Sequence, residues 1–227
     1  MSHWLVRFDR HGSACYVSHL DTARALQRTF ARAGIALALS EGMRPKPRLS
    51  LGLPLPVGAA ASDELAVVEV VGECADISAA LRALRAAAAR GIEPHSIAVV
   101  EAHPHPVALA ATYECTLAAD AAAVSAALTR FANASQAVVE RVSPKGSRRL
   151  DLKEFIEEAW CRPDGDATRL GFTVRHRQDG AARPQEFVDL VAGYAGVEAV
   201  MRALYRASVT YKGLPAQGRA GQSIGAT

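Results

Sequence analysis

Tyr16, Ser18, His19 and Asp21 place a phenol, a hydroxyl, an imidazole and a carboxylate within six residues. Such a set could cleave RNA without a metal. His19 would act as general base, and Arg44 or Lys46 would stabilise the charge of a phosphorane. The same spacing also reads as a helix start. Ser18 is then the N-cap, Asp21 completes a capping box, and His19 packs against a basic loop. Helix caps are the commoner use of these residue types, so the residues favour a non-catalytic protein and leave His19 as the weak catalytic candidate. His11, Cys15 and His19 are spaced by four, as metal ligands on a helix would be, but Gly12 and the strand-like Ala14–Val17 break a helix there. His103 and His105 alternate with Pro104 and Pro106 and read as a stiff connector. Neither a metal nor a cofactor is expected.

The strongest binding signal is Ser40–Gly58. It holds Pro45, Pro47, Pro54 and Pro56, the cations Arg44, Lys46 and Arg48, and Gly42, Gly52 and Gly58. Proline fixes φ and glycine permits positive φ, so this segment is neither a helix nor a central strand. Leu49, Leu51, Leu53 and Leu55 nevertheless alternate like a strand with one buried face, with Ser50 between the first two. A pre-formed loop presenting cations is expected, suited to an anion or an extended chain. A second cationic hairpin is expected at Ser143–Ile156, where Lys145, Arg148, Arg149 and Lys153 surround Pro144 and Gly146. Arg24, Arg28 and Arg32 form a stripe spaced i, i+4, i+8 on one helix face. Two basic loops in matching places of two similar units point to an anionic partner.

These groups need elements to hold them. In the first half, strands are expected at Trp4–Phe8, Ile35–Leu39, Glu64–Val71 and Ile92–Glu101, with turns at Asp9–Gly12 and Ala59–Asp63. Helices are expected at His19–Ala33, with Leu20, Leu26 and Phe30 inward, and at Ile77–Arg90 after an Asp76 cap. In the second half, strands are expected at Thr112–Leu117, Ala137–Val142, Thr168–His176 and Arg202–Tyr211. Helices are expected at Ala121–Phe131 after Asp120 and at Gln185–Tyr194 after Pro184. The expected fold is α+β: two tandem ferredoxin-like βαββαβ units with antiparallel sheets. The first (1–103) carries the basic loop and the second spans 107–212. The Gly-rich segment 213–227 is expected to be disordered.

With 227 residues, 22% of them charged and half hydrophobic, the chain has ordinary globular composition and room for a sizeable core. A net charge of +3 and a pI near 8.8 permit an acidic partner without demanding one. Cys15, Cys74, Cys115 and Cys161 are widely spaced, which argues against a zinc ribbon, a redox dithiol or an iron–sulfur site and fits reduced thiols in a cytoplasm. Met1-Ser2-His3-Trp4 leads into a charged strand, so no signal peptide is expected, and no apolar run is long enough to span a membrane.

Arg7-Phe8, Gly12, Tyr16-Val-Ser-His-Leu-Asp21, Arg24-Ala-Leu-Gln-Arg28, Ser40-Glu-Gly42, Pro45-Lys-Pro-Arg-Leu-Ser50 and Leu53-Pro-Leu-Pro-Val-Gly58 together resemble the signature of the radical SAM-linked proteins. That bacterial family is also catalogued as a domain of unknown function. Lys145-Gly-x-Arg148 and Asp151-Leu-Lys153 match it too. The resemblance covers nearly all of the chain except the tail. It implies a radical SAM protein as partner, encoded beside or fused to family members, and a genomic setting near a ribonuclease of the E/G type and ribosomal-protein genes. An RNA or ribosomal-assembly setting follows from the resemblance, while a reaction does not. Met43 stands where the family often has an aromatic residue after Gly42. Tandem ferredoxin-like units with a glycine-containing loop also resemble, at the level of fold, the proteins of CRISPR systems that process guide RNA. Two readings from different classes follow, with a third beside them. One is a non-catalytic accessory protein that presents RNA to a radical SAM enzyme. Another is a metal-independent RNA-cleaving enzyme. The third is a module that docks on the radical SAM partner alone.

Overall fold

The structure is a computed structural model and describes residues 2–101, 104–143, 146–178, 180–198 and 201–214. Lys145, His103 and all but the first two residues of the expected tail lie outside the described residues. The chain divides into two compact units, Met1–Val107 with Tyr211–Thr227, and Ala108–Thr210. Both mix helices with mostly antiparallel strands. Among the described residues, no helix is long and apolar enough to cross a membrane.

The first unit runs β1 (Ser2–Arg10), a 3₁₀ turn (Gly12–Tyr16), α1 (His19–Arg32), β2 (Leu49–Leu51), β3 (Ala60–Val70), α2 (Ile77–Ala87) and β4 (Ile92–Val100). Its strands lie in the order β4-β1-β3-β2, each pair antiparallel. Alternate residues of β1 and β3 (Trp4, Val6 and Phe8; Ala66, Val68 and Val70) form one core with Leu26 and Phe30 of α1 and Leu84 of α2. That pairing of a period of two with a helical period is what buries both kinds of element. Leu20, expected inward, is 59% exposed, and Thr22, Ala25 and Thr29 take the buried positions of α1 instead.

Several boundaries differ from those expected of the sequence. Ala14–Val17 is not extended but belongs mostly to the 3₁₀ turn, and β1 continues to Arg10. Ala59–Asp63 is not a turn, because β3 begins at Ala60. Ile35–Leu39 makes only isolated bridges, Leu37 with Val70 and Leu39 with Pro47. Proline has no N–H, so a ladder cannot continue past Pro47. The leucine strand stops at Leu51, because Pro54 and Pro56 follow.

Gly52 lies between that strand and the prolines. A Cβ there would collide with the hydroxyl of Tyr211, which the first unit includes. That hydroxyl accepts a hydrogen bond from Leu53 N at 2.9 Å. Gly52→Ala should therefore displace Tyr211 and lower stability by about 2 kcal/mol. Urea unfolding checks this, and an unchanged midpoint would show that the ring moves aside freely.

The second unit runs β5 (Ala108–Leu117), α3 (Ala121–Asn133), β6 (Val138–Ser143), β7 (Gly146–Asp151), β8 (Ile156–Asp164), β9 (Ala167–Arg177), β10 (Gly180–Ala181), α4 (Pro184–Ala195) and β11 (Met201–Tyr211), of which the last residue, Tyr211, belongs to the first unit. Its main sheet has the order β8-β9-β5-β11, with β10 also on β9. Phe131, Phe172 and Phe187 meet in its core at ring separations of 5.1 and 4.9 Å. The expected strand at Ala137–Val142 does not join this sheet. It becomes β6, paired with β7 in a separate two-stranded ribbon, and β8 takes the sheet position instead. Pro163 and the paired acids Glu157 and Glu158 hid β8 from a pattern reading, but both features are tolerated in a strand bonded on one side.

Candidate anion-binding surface

The basic loop of the first unit is a closed hairpin. Ser40 N donates to Lys46 O at 2.8 Å, Lys46 N donates to Ser40 Oγ at 3.0 Å, and Arg48 N donates to Ala38 O at 2.7 Å. Gly42 takes a φ of +114°, which glycine alone adopts at ease and which lets the tip reverse. Arg44, Pro45 and Lys46 are exposed, and Met43 is fully so at 102%. Neither Arg44 nor Lys46 pairs with a carboxylate among the described residues. Arg48 differs, because its guanidinium donates to the buried Glu69 carboxylate at 2.9 Å. Its charge serves to neutralise that carboxylate at the base of the hairpin. Pro47 is half-buried at the bridge to Leu39, and Ser50 is exposed on β2.

At its other end the segment closes on the 3₁₀ turn. Past exposed Pro54, Leu55 is buried and Gly58 N donates to Cys15 O at 2.8 Å. Ser18 caps α1, with Asp21 N donating to Ser18 Oγ at 3.1 Å. The Asp21 carboxylate accepts from the Ser18 hydroxyl at 2.7 Å and from Arg24 at 2.9 Å. These bonds hold it below the usual carboxylate range. Arg24 and Arg28 are exposed on the outer face of α1. Arg32 leaves the stripe, because its Nε and Nη2 donate to Ala87 O at 3.1 and 2.6 Å and cap the end of α2. His19 opens α1 half-buried. Cys15 is buried and its thiol is pushed up by burial, while His11 meets Glu93 at 2.9 Å.

The second cationic segment is dispersed. Along the ribbon, Val139 faces Leu150, Glu140 faces Arg149, and Arg141 faces Arg148. Alternate residues share a face, so Arg148 shares the side of buried Leu150 and of Arg141. Arg141 forms two 2.6 Å bonds to Glu186 of α4. Arg149 stands on the opposite face, across from Glu140. Lys153 points elsewhere: its Nζ donates to Phe131 O and Ala132 O at 3.1 and 2.8 Å and lies over the Phe131 ring. It is the C-terminal cap of α3, with its charge against the negative end of the helix dipole.

The structure assembles a further polar group that the sequence did not disclose. Two irregularities of register lie at and just before Asp9 of β1. On β3 the pairing passes from Phe8–Glu64 to Arg10–Ala61, and on β4 it passes from Arg7–Ser96 to Phe8–Pro94. They bring Asp63 and His95 toward Asp9, as bulges re-aim side chains. His95 Nε2 lies 3.5 Å from Asp9 Oδ1 and 4.0 Å from Asp63 Oδ1, and Arg7 donates to Asp63 Oδ2 at 2.5 Å. Burial raises the Asp63 pKa to about 6 against the opposing pull of Arg7. Asp9 and His95 also border a cleft of about 370 Å³ with Arg85, Arg90 and Glu93. Arg85 is already committed to Pro94 O and His95 O, and Glu93 to His11.

Residues 3–184 match a family model described as an uncharacterized protein conserved in bacteria (DUF2344). The chain belongs to this family. The match takes in the whole hairpin, the α1 stripe and the ribbon, and the family's description names no partner enzyme. No curated protein matches the chain. Among solved structures, it is similar to an unknown protein from Galdieria sulphuraria at 14% identity, over 90% of this chain and 98% of that one, with a TM-score of 0.28. It is similar to a putative glycine cleavage system transcriptional repressor at 9% identity, over 89% and 95% of the two chains, with a TM-score of 0.24. Likenesses at these scores carry no argument.

Proposed function

We propose that the chain is a non-catalytic accessory protein of a radical SAM enzyme, and that it binds RNA or an RNA-containing substrate through the Arg44–Lys46 hairpin of its first unit. The observation that carries the RNA part is the asymmetry of that hairpin. Its base cation, Arg48, is neutralised by Glu69, whereas its tip cations stand exposed on a backbone fixed by three hydrogen bonds. A fixed tip loses little conformational entropy on binding a phosphate chain. Arg24 and Arg28 are further exposed cations of the same unit, carried by α1. The radical SAM partner rests on the sequence resemblance, and a cytoplasmic setting rests on the cysteine spacing. The strand orders β4-β1-β3-β2 and β8-β9-β5-β11 support reading both units as ferredoxin-like, the second with the β6–β7 ribbon inserted. Lys153, Arg48 and Arg32 drop out of the surface, because each already serves a carbonyl or carboxylate of its own unit.

Arg44→Glu/Lys46→Glu tests the reading. At low salt the double variant should bind a labelled single-stranded RNA at least about a hundredfold more weakly than the parent, since two phosphate attractions become repulsions. The bound RNA should stay intact. Equal affinity of parent and variant would overturn the assignment of the hairpin. Cleavage of the RNA that is lost in His19→Ala would make the protein an enzyme instead.

A further inference from the structure

Tyr16 is 75% exposed, yet the turn that carries it is held from three sides. Arg10 is 1% exposed, and its Nη2 donates to Cys15 O at 2.9 Å and Val17 O at 3.0 Å, the carbonyls on either side of Tyr16. Its Nη1 reaches Thr22 Oγ1 at 3.5 Å, and that hydroxyl donates to Ser18 O at 2.9 Å. Gly58 N adds a second hydrogen bond to Cys15 O, and a Cβ on Gly58 would sit 3.9 Å from the Tyr16 ring. The protein thus commits a fully buried guanidinium to fixing the backbone of a residue whose own ring faces solvent. Val57, the neighbour of Gly58, is 67% exposed, and Leu20 in the first turn of α1 is 59% exposed.

We propose that Tyr16 is a stacking platform for an unpaired base of the bound RNA. This rests on the RNA reading above and names the form of RNA that fits it. Stacking needs an exposed aromatic face already held in place, and every base offers a π-face to it. Charge complementarity supplies the rest. Arg24 and Arg28 follow Leu20 along the exposed side of α1 at steps of four residues, about 6 Å of rise each. A strand whose base rests on Tyr16 can therefore lay its phosphates along that stripe. A duplex cannot, because its bases are already stacked and paired. Asp21 tempers the stripe by binding Arg24, which leaves Arg28 as its fullest charge.

The test compares two labelled probes, an oligoadenylate and an abasic oligomer with the same number of phosphates. Tyr16→Ala should lose about tenfold or more in affinity for the oligoadenylate and little for the abasic chain, while Tyr16→Phe keeps the parent's affinity for both. The ring is exposed, so the variants should unfold at the parent's midpoint, which circular dichroism checks. Tyr16→Ala that binds the oligoadenylate as tightly as the parent overturns the proposal while leaving the phosphate reading standing. So does a variant that loses equally on both probes. A parent protein that binds neither probe overturns the proposal together with the RNA reading, and the Tyr16 surface is then a protein contact.

Discussion

Asp63→Ala should lower the free energy of unfolding at pH 7 by about 3 kcal/mol, and Arg7→Met should cost clearly less. Both residues are nearly inaccessible and lie in direct contact. The asymmetry follows from their acid–base chemistry. Without Asp63, the Arg7 guanidinium stays charged at any relevant pH and must keep that charge at a nearly inaccessible position. Without Arg7, Asp63 can take up a proton, which its pKa of about 6 already makes easy. The same shift sets a pH dependence. Burial raises Asp63 above the value of 3.8 for an unperturbed carboxyl, so the folded protein holds a proton that the unfolded chain releases. The stability this group contributes is complete below about pH 4 and is lost as the pH rises through 6. Glu64 and Asp9 push in the same direction as burial, and Arg7 opposes it. Urea unfolding of the parent and of Asp63→Asn at pH 4 and pH 7 reads the effect. The parent should gain on the variant at the lower pH, and parallel behaviour at both would contradict the assignment.

Arg10→Met should cost about 3 kcal/mol. The substitution strands the carbonyl of Val17 and leaves that of Cys15 with its bond from Gly58 N alone, where both accept from the guanidinium in the protein. Methionine fills much of the volume and removes the cost of burying a charge, which keeps the loss from growing larger. The expected loss exceeds what a surface arginine would show, because Arg10 is 1% exposed. At a temperature where the variant is still folded, its affinity for oligoadenylate should fall while its affinity for an abasic chain holds, since the turn under Tyr16 has been loosened. A loss below about 1 kcal/mol would mean that water reaches the Val17 carbonyl.

What could be read from the sequence was local. Ser18, Asp76 and Asp120 were recognisable as caps, because a short polar side chain before an apolar run has one evident use, and all three cap their helices. The density of proline, glycine and cations marked the hairpin for the same reason. What could not be read depends on partners far along the chain. Arg48 is equivalent to Arg44 and Lys46 along the sequence, and only the fold sets Glu69 beside it; Lys153 is likewise equivalent to Arg149, and only the fold sets it on the end of α3. The Asp9, Asp63 and His95 group arises from shifts of register between three strands, a property of pairing that no single segment encodes. Tyr16 was visible as a residue, but not the buried arginine that fixes its turn, because β1 was expected to end before Arg10.

The most direct measurement is the equilibrium binding of the whole chain to a labelled single-stranded RNA across a salt series, with Arg44→Glu/Lys46→Glu beside it. RNA binding through the hairpin requires an affinity that falls steeply and log-linearly with salt for the parent. The slope of the variant should be shallower by about 0.7 for each phosphate that its side chains no longer neutralise. An absence of binding by the parent at low salt, or the same slope in both proteins, would contradict it.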